Sequence, residues 1–206
     1  MVTDKVDTKL NEMIIHDLLL VPIHIRDDRH VCLSSEDCIR LFGNDVQLTV
    51  EKELSGDRVL YREKITLVGP KGSIENVALI GPFGGQTYIE LQMADRWNLG
   101  VEPPVKESGT ALAAPTLTIV GPMGSVVNYM NGIIMGRHMH MDADRAKALG
   151  LKNKAFLSVE TRGNQPVILK NIQVTINNHH YTEFHLTGNE AEALEIESGD
   201  NVKIVL

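Results

Sequence analysis

The chain has little cysteine and no long apolar run. Only two cysteines, Cys32 and Cys38, occur in 206 residues, too few for a disulfide scaffold and typical of a reducing compartment. The longest apolar run, residues 18–23, is interrupted by Pro22 and is far shorter than the roughly 20 residues needed to span a bilayer. We therefore expect a cytoplasmic protein that does not cross a membrane.

Positive charge and several familiar catalytic motifs are also scarce. The chain has 20 Lys and Arg against 27 Asp and Glu, for a formal net charge of −7, and the basic residues are scattered. This pattern argues against a cationic surface for nucleic acid or anionic lipid. The chain has no Gly-x-Ser-x-Gly elbow, no His-Glu-x-x-His and no Gly-x-Gly-x-x-Gly opening a helix. Metal-assisted chemistry remains as the leading interpretation.

From Val21 onward the sequence is typical of a mainly β fold with short helices. Brief apolar runs rich in Val, Ile and Thr alternate with turn signals. Gly-Pro-x-Gly occurs at residues 69–72, 81–84 and 121–124, each time after an apolar run. Proline presets the backbone of a tight turn and glycine tolerates its exit. We predict three hairpin turns.

The N-terminal residues 1–20 differ from the rest of the chain. Leu10, Met13, Ile14 and Leu18 recur at helical spacing and predict one short amphipathic helix. It would pack on the core or on a neighbouring subunit of a homo-oligomer, or act as a recruitment helix. Proline and glycine after Gly100 indicate a boundary. The predicted domains are residues 21–105 and 106–206.

Two similar clusters suggest that the two domains are copies of one ancestor. Arg29-His30-Val31-Cys32-Leu33 and Arg137-His138-Met139-His140-Met141 share their arrangement. In an extended strand, residues i and i+2 point to the same face. Each cluster therefore presents two nitrogen or sulfur donors side by side, as a metal site on a strand requires.

A second repeat places further donors at equivalent positions. Short helical segments, each ending in a glycine that terminates the helix, are predicted at residues 34–43, 93–100, 142–150 and 188–199. Strong metal-binding side chains precede each segment, and together they are His30, Cys32, Glu90, His138, His140 and His185. Imidazole, thiolate and carboxylate in one set favour zinc. Six donors suit two ions with open positions, although spacing does not show how they divide. The remaining histidines, His16, His24, His179 and His180, are interpreted as ordinary side chains.

These residues resemble the PduL-type phosphate acyltransferases associated with bacterial microcompartments, also called phosphate propanoyltransferases. The similarity extends from about Val21 to the C-terminus. The motifs that carry it are Arg29-His30-Val31-x-Leu33-Ser34, Thr66-Leu-Val-Gly-Pro-Lys-Gly72, Glu75-Asn-Val77, Leu79-Ile-Gly-Pro82, Pro103-Pro-Val-Lys-Glu-Ser-Gly109, Val120-Gly-Pro122 and Arg137-His-Met-His-Met141.

The resemblance implies two similar β-barrel domains with two zinc ions in a cleft between them. It implies reversible transfer of an acetyl or propionyl group between coenzyme A and phosphate, inside a microcompartment or free in the cytoplasm, with shell or cargo proteins as partners. By position, one zinc would bind His30, Cys32 and Glu90 near the coenzyme A sulfur. The second would bind His138, His140 and His185.

The chain departs from the family pattern at two positions. Cys32 stands where similar proteins have histidine, an exchange that zinc accepts. Gly84 stands where they usually have an arginine that helps to hold phosphate, and glycine offers no cationic donors. Phosphate binding should weaken unless another cation substitutes in space, the candidates being Arg26, Arg29, Arg137 and Lys71.

Arg29 and Arg137 have two interpretations. Each neighbours a candidate ligand histidine but points to the opposite strand face, which favours a structural ion pair over contact with phosphate. Two other functions stay open beside acyl transfer. One is a zinc-dependent thioester hydrolase, and the other is a non-catalytic zinc-binding subunit.

Overall fold

The computed structural model describes residues 13, 15–26, 29–54, 57–106, 115–128, 132–163, 165–178 and 181–205. Strands dominate it, which confirms the predicted mainly β fold. The strands are β1 (Leu20–Arg26), β2 (His30–Cys32), β3 (Val50–Glu53), β4 (Val59–Val68), β5 (Ser73–Gly81), β6 (Tyr88–Leu91), β7 (Val105–Lys106), β8 (Leu117–Val120), β9 (Ser125–Asn128), β10 (Gly132–Met135), β11 (His138–Asp142), β12 (Phe156–Glu160), β13 (Ile168–Asn177), β14 (Glu183–Thr187) and β15 (Asn201–Val205).

Short helices follow the strands where the repeat predicted them. They are α2 (Ser35–Phe42), α3 (Asp95–Leu99), α4 (Ala143–Ala148) and α5 (Gly188–Ala193). A further helix, α1 (residues 15–19), precedes β1. Side chains of Ser34, Asp142 and Thr187 accept hydrogen bonds from backbone N–H groups in the first turns of α2, α4 and α5, which explains why these helices begin there. No described helix combines the length and apolarity needed to cross a membrane. Leu10 and Ile14 of the predicted N-terminal helix lie outside the described residues.

The first of two compact units joins residues 1–26 to residues 137–206. It contains a closed barrel with the strand order β1-β14-β11-β13-β12-β15. Side chains from alternate positions of these strands fill its core, among them Val21, Met139, Val159, Val174, Phe184 and Val202. The intervening positions face away from that core.

The second unit comprises residues 27–136. Its sheet has nine strands in the order β7-β10-β6-β2-β5-β4-β8-β9, with β3 paired to β4. The core beneath it includes Val31, Leu33, Leu67, Leu79, Ile89 and Leu117.

These units do not follow the division predicted between residues 105 and 106, which falls inside β7. Strand β1 pairs with β14 and β15 from the end of the chain. Strand β10, from the predicted second half, pairs with β6 and β7 of the other unit. Proline- and glycine-rich composition marks an irregular segment, but backbone pairing between distant strands decides which unit a strand joins.

Two of the three predicted hairpin turns are confirmed. Residues 69–72 connect β4 to β5 and residues 121–124 connect β8 to β9, with Gly69 N donating to Gly72 O and Gly121 N donating to Gly124 O. A Cβ on Gly69 would lie 2.3 Å from Leu99 O, so glycine is required for this turn to pack on α3. The prediction for residues 81–84 is wrong. Strands β5 and β6 both pair with β2, on its opposite edges, and residues 82–87 carry the chain past β2.

A buried ion pair connects the start of β2 to α3. The Arg29 guanidinium donates through Nε and one terminal nitrogen to Asp95, whose side chain is fully buried. Asp95 also accepts a hydrogen bond from the backbone N–H of Gln92. The hydrogen bond to Asp95 raises the pKa of Arg29 against the opposing effect of burial. This pair therefore fixes β2 relative to the helix that follows β6.

We predict that Arg29→Met lowers the free energy of unfolding by about 2 kcal/mol, because it leaves the buried Asp95 carboxylate without its cation. Urea denaturation followed by circular dichroism measures the change. Arg40→Met is the matched control. Its exposed i,i+4 pair with Glu36 should contribute less than about 0.5 kcal/mol. Equal losses in the two variants would contradict the role given to Asp95.

Candidate functional site

Three histidines lie together on the barrel of the first unit. His138 and His140 are on β11, and His185 is on the antiparallel neighbour β14, directly opposite His138 in the register. Their neighbours Met139 and Phe184 are fully buried in the barrel core. Because strand residues alternate between faces, burying these neighbours directs all three imidazoles to the other face of the sheet.

The three rings are in mutual contact. Ring centroids lie 5.0 Å apart for His138 and His140, 4.8 Å for His138 and His185, and 4.9 Å for His140 and His185. One nitrogen from each ring can be chosen so that all three lie within 4.8 Å of one another. The described part of the chain contains one such group of three or more metal-binding side chains.

The environment of His185 suits a metal ligand. Both of its ring nitrogens are buried and lack a hydrogen-bond partner among the described residues, an arrangement that costs free energy unless another group binds them. Burial and, to a smaller extent, the neighbouring His138, His140, Arg26 and His24 together lower the pKa of His185 to about 2. The ring is therefore neutral at physiological pH, and neutral imidazole is the form that binds a metal.

Two further side chains beside the triad were not recognised from the sequence. His24 on β1 is paired with His185, and their ring centroids lie 5.2 Å apart. Glu183 lies two residues before His185, with its Oε2 3.3 Å from His185 Nε2. The i, i+2 spacing of Glu183 and His185 could have indicated a shared face. No local signal could have placed His24, because β1 and β14 are far apart in the chain.

The second unit brings the other predicted donors to one strand pair. His30 on β2 is paired with Glu90 on β6, and Cys32 is paired with Tyr88. His30 Nε2 lies 3.5 Å from Glu90 Oε2, and both side chains are almost fully buried. Val31 and Ile89 fill the core on the opposite face. Cys32 is partly exposed on the same face as His30.

The registers of the two strand pairs correspond. In one unit His30 faces Glu90 and Cys32 faces Tyr88. In the other His138 faces His185 and His140 faces Glu183. The six donors predicted from the repeats therefore occupy three pairs of equivalent positions.

Both arginines beside the ligand clusters have carboxylate partners. Arg29 binds the buried Asp95, and Arg137 NH1 lies 3.5 Å from Glu190 Oε1. Both arginines were expected to form structural ion pairs, because they point to the strand face opposite the candidate ligand histidines, and these contacts are such pairs. Their charge is balanced within the protein, so neither residue offers an uncompensated cation.

Arg58 is a further residue at the second unit's cluster that the sequence did not indicate. One terminal nitrogen of its guanidinium lies 3.4 Å from His30 Nε2. Gly84 stands at the position where similar proteins were expected to have an arginine. It is exposed in the segment between β5 and β6, and a Cβ there would meet no atom within 4 Å. Nothing in the residue pattern around Arg58 predicts its contact with β2.

Comparison with known proteins shows the family to which the chain belongs. The family model for phosphate propanoyltransferase matches residues 22–197. A phosphate propanoyltransferase from Thermotoga maritima is 38% identical over 180 residues, covering 86% of each chain. One from Rhodopseudomonas palustris is 35% identical over 178 residues, covering 86% of this chain and 79% of its own. One from Priestia megaterium is 37% identical over 173 residues, covering 84% and 80%. The chain belongs to the phosphate propanoyltransferase family.

Proposed function

We propose that the protein transfers a short acyl group, propionyl or acetyl, between coenzyme A and inorganic phosphate. Family membership supports this reaction type. The structural observation that carries the proposal is the triad of His138, His140 and His185, in which both buried ring nitrogens of His185 lack a hydrogen-bond partner among the described residues. Such a group suits a cation-assisted transfer.

In the proposed reaction a phosphate oxygen forms a bond to the thioester carbonyl carbon. The carbon–sulfur bond then breaks, and its electron pair leaves with coenzyme A as the thiolate. The products are acyl phosphate and coenzyme A, and the same steps in reverse describe the other direction. No covalent acyl-enzyme is needed, because both substrates react directly when they are held together.

We infer two metal sites from the chemistry of the donors, and the histidine triad is also the one group among the described residues whose ligand atoms all lie within 4.8 Å of one another. The proposed sites are His138, His140 and His185 in one unit, and His30, Cys32 and Glu90 in the other. The first set is all imidazole and the second mixes imidazole, thiolate and carboxylate, and zinc accepts both kinds of donor set. Bound there, the ions would supply positive charge and Lewis acidity to the developing negative charge of the reaction.

The protein's own contribution is rigid placement of these donors. His30 and Glu90 are paired across β2 and β6, and His138 and His185 are paired across β11 and β14. Donors on paired strands keep their separation better than donors on loops. Burial of His30 and Glu90 also limits competing hydrogen bonds from water.

Purified protein should release coenzyme A thiol from propionyl-CoA only when phosphate is present, with one acyl phosphate formed for each thiol. Phosphate is the nucleophile in the proposed reaction, so its omission removes the acceptor. A thiol reagent and a hydroxamate assay for acyl phosphate measure the two products. Thiol release without phosphate would indicate a thioester hydrolase. Loss of both products in metal-loaded protein would indicate a non-catalytic subunit.

Elemental analysis after dialysis should give two zinc ions per chain. We expect His185→Ala and Glu90→Ala each to lose one ion and to lower kcat/KM by more than about a hundredfold, since each removes a proposed ligand. His16→Ala is the control, because this histidine is exposed and lies beside Asp17 on α1. An unchanged zinc count in Glu90→Ala would restrict metal binding to the histidine triad.

A further inference from the structure

We propose that Arg58 is the phosphate-binding cation of this protein, supplied from the start of β4 beside the His30–Glu90 pair. The inference rests on the proposed function, because inorganic phosphate is the substrate that it would bind. It assigns an anion-binding role to a residue outside the predicted ligand set.

The first argument is the position of the guanidinium. One terminal nitrogen of Arg58 lies 3.4 Å from His30 Nε2, and His30 Nε2 lies 3.5 Å from Glu90 Oε2. Arg58 therefore reaches His30, which is one of the two paired donors of β2 and β6. An anion held by Arg58 would lie next to the groups proposed to hold a cation.

The second argument is the unbalanced charge of Arg58. Arg29, Arg40, Arg96 and Arg137 each have a carboxylate within 4 Å. Arg58 has no carboxylate partner among the described residues, where its polar contact is the one to His30. The other N–H groups of its guanidinium therefore remain available to donate to an incoming oxyanion.

The third argument is the strand register. Strand β4 pairs with β5 so that Val59 faces Gly81, which places Arg58 at the strand end where the segment containing Gly84 begins. The arginine expected at Gly84 is absent from this segment, and Arg58 directly precedes Val59, which pairs with Gly81 where the segment begins. We infer that a cationic side chain before β4 can serve the function expected of one after β5.

The chemistry of phosphate suits this side chain. A guanidinium offers a planar set of N–H donors that binds two oxygens of one phosphate group. Arg58 is only partly exposed, and partial burial strengthens a charged hydrogen bond relative to one in water. A positive charge at this position would also reduce repulsion between phosphate and Glu90.

The test compares Arg58→Gln and Arg58→Lys with Arg62→Gln, a control that removes the same charge from an exposed position of the same strand. We expect Arg58→Gln to raise KM for phosphate tenfold or more while KM for propionyl-CoA stays within twofold of the unsubstituted protein. Arg58→Lys should retain part of the phosphate affinity, and Arg62→Gln should change neither constant.

Binding is measured separately from turnover by titrating each metal-loaded protein with inorganic phosphate and following the rise in Tm. Zinc content is determined on the same samples. We expect the phosphate concentration for half-maximal stabilisation to rise tenfold or more in Arg58→Gln, with zinc content unchanged. This result would support phosphate binding by Arg58 even if the protein had no transferase activity. Failure of the Arg58 proposal can therefore be distinguished from failure of the proposed function.

Two results would overturn the proposal. One is an unchanged phosphate titration in Arg58→Gln. The other is loss of zinc together with equal changes in both KM values, which would show that Arg58 positions His30 rather than binding phosphate.

Discussion

The antiparallel register between paired strands is the constraint on which the candidate site depends. In β11 and β14 it places His138 opposite His185, while Met139 and Phe184 hold the other face in the core. A shift of one residue in either strand would exchange these faces, burying imidazole in the barrel and exposing apolar side chains. The free energy of burying the core therefore also determines where the ligand nitrogens lie. The proposed metal binding would add to a geometry that hydrophobic burial has already selected.

The same constraint occurs twice, which argues for duplication within the chain. Strands β2 and β6 repeat the pairing of β11 and β14, and parallel β5 lies beside β2 as parallel β13 lies beside β11. Strand β10 runs parallel to β6 as β1 runs parallel to β14. Strand β1 therefore joins the unit built mainly from the second half of the chain, and β10 joins the unit built mainly from the first half. Strand pairing across the predicted boundary therefore explains why each unit contains residues from both predicted halves.

Much of the site was predictable because local rules specify it. The i, i+2 spacing of His138 and His140 identified the ligand face, and the helix caps identified where each strand ends. The position of Glu90 followed only from its place in the repeat. The pairing partners of β1, and the contacts of His24 and Arg58, could not be predicted, because they depend on strand pairing between distant segments. The failed turn at residues 81–84 has the same cause, since its local signal fits a hairpin. Recruitment by the N-terminal helix stays a prediction.

The two equivalent positions have diverged in charge, and this difference suggests a division of labour. Around His185 the protein supplies three imidazoles, and burial together with the two neighbouring rings lowers the pKa of His185, while Glu183 lies nearby. Around His30 it supplies a carboxylate, a thiol and an arginine. A neutral donor set leaves the full charge of a bound cation available, whereas carboxylate and thiolate cancel it. With a cation bound, the second set would therefore need an additional positive group to attract a phosphate dianion, whereas the histidine triad would not. Under the proposal made above, Arg58 would supply that group from within the same unit.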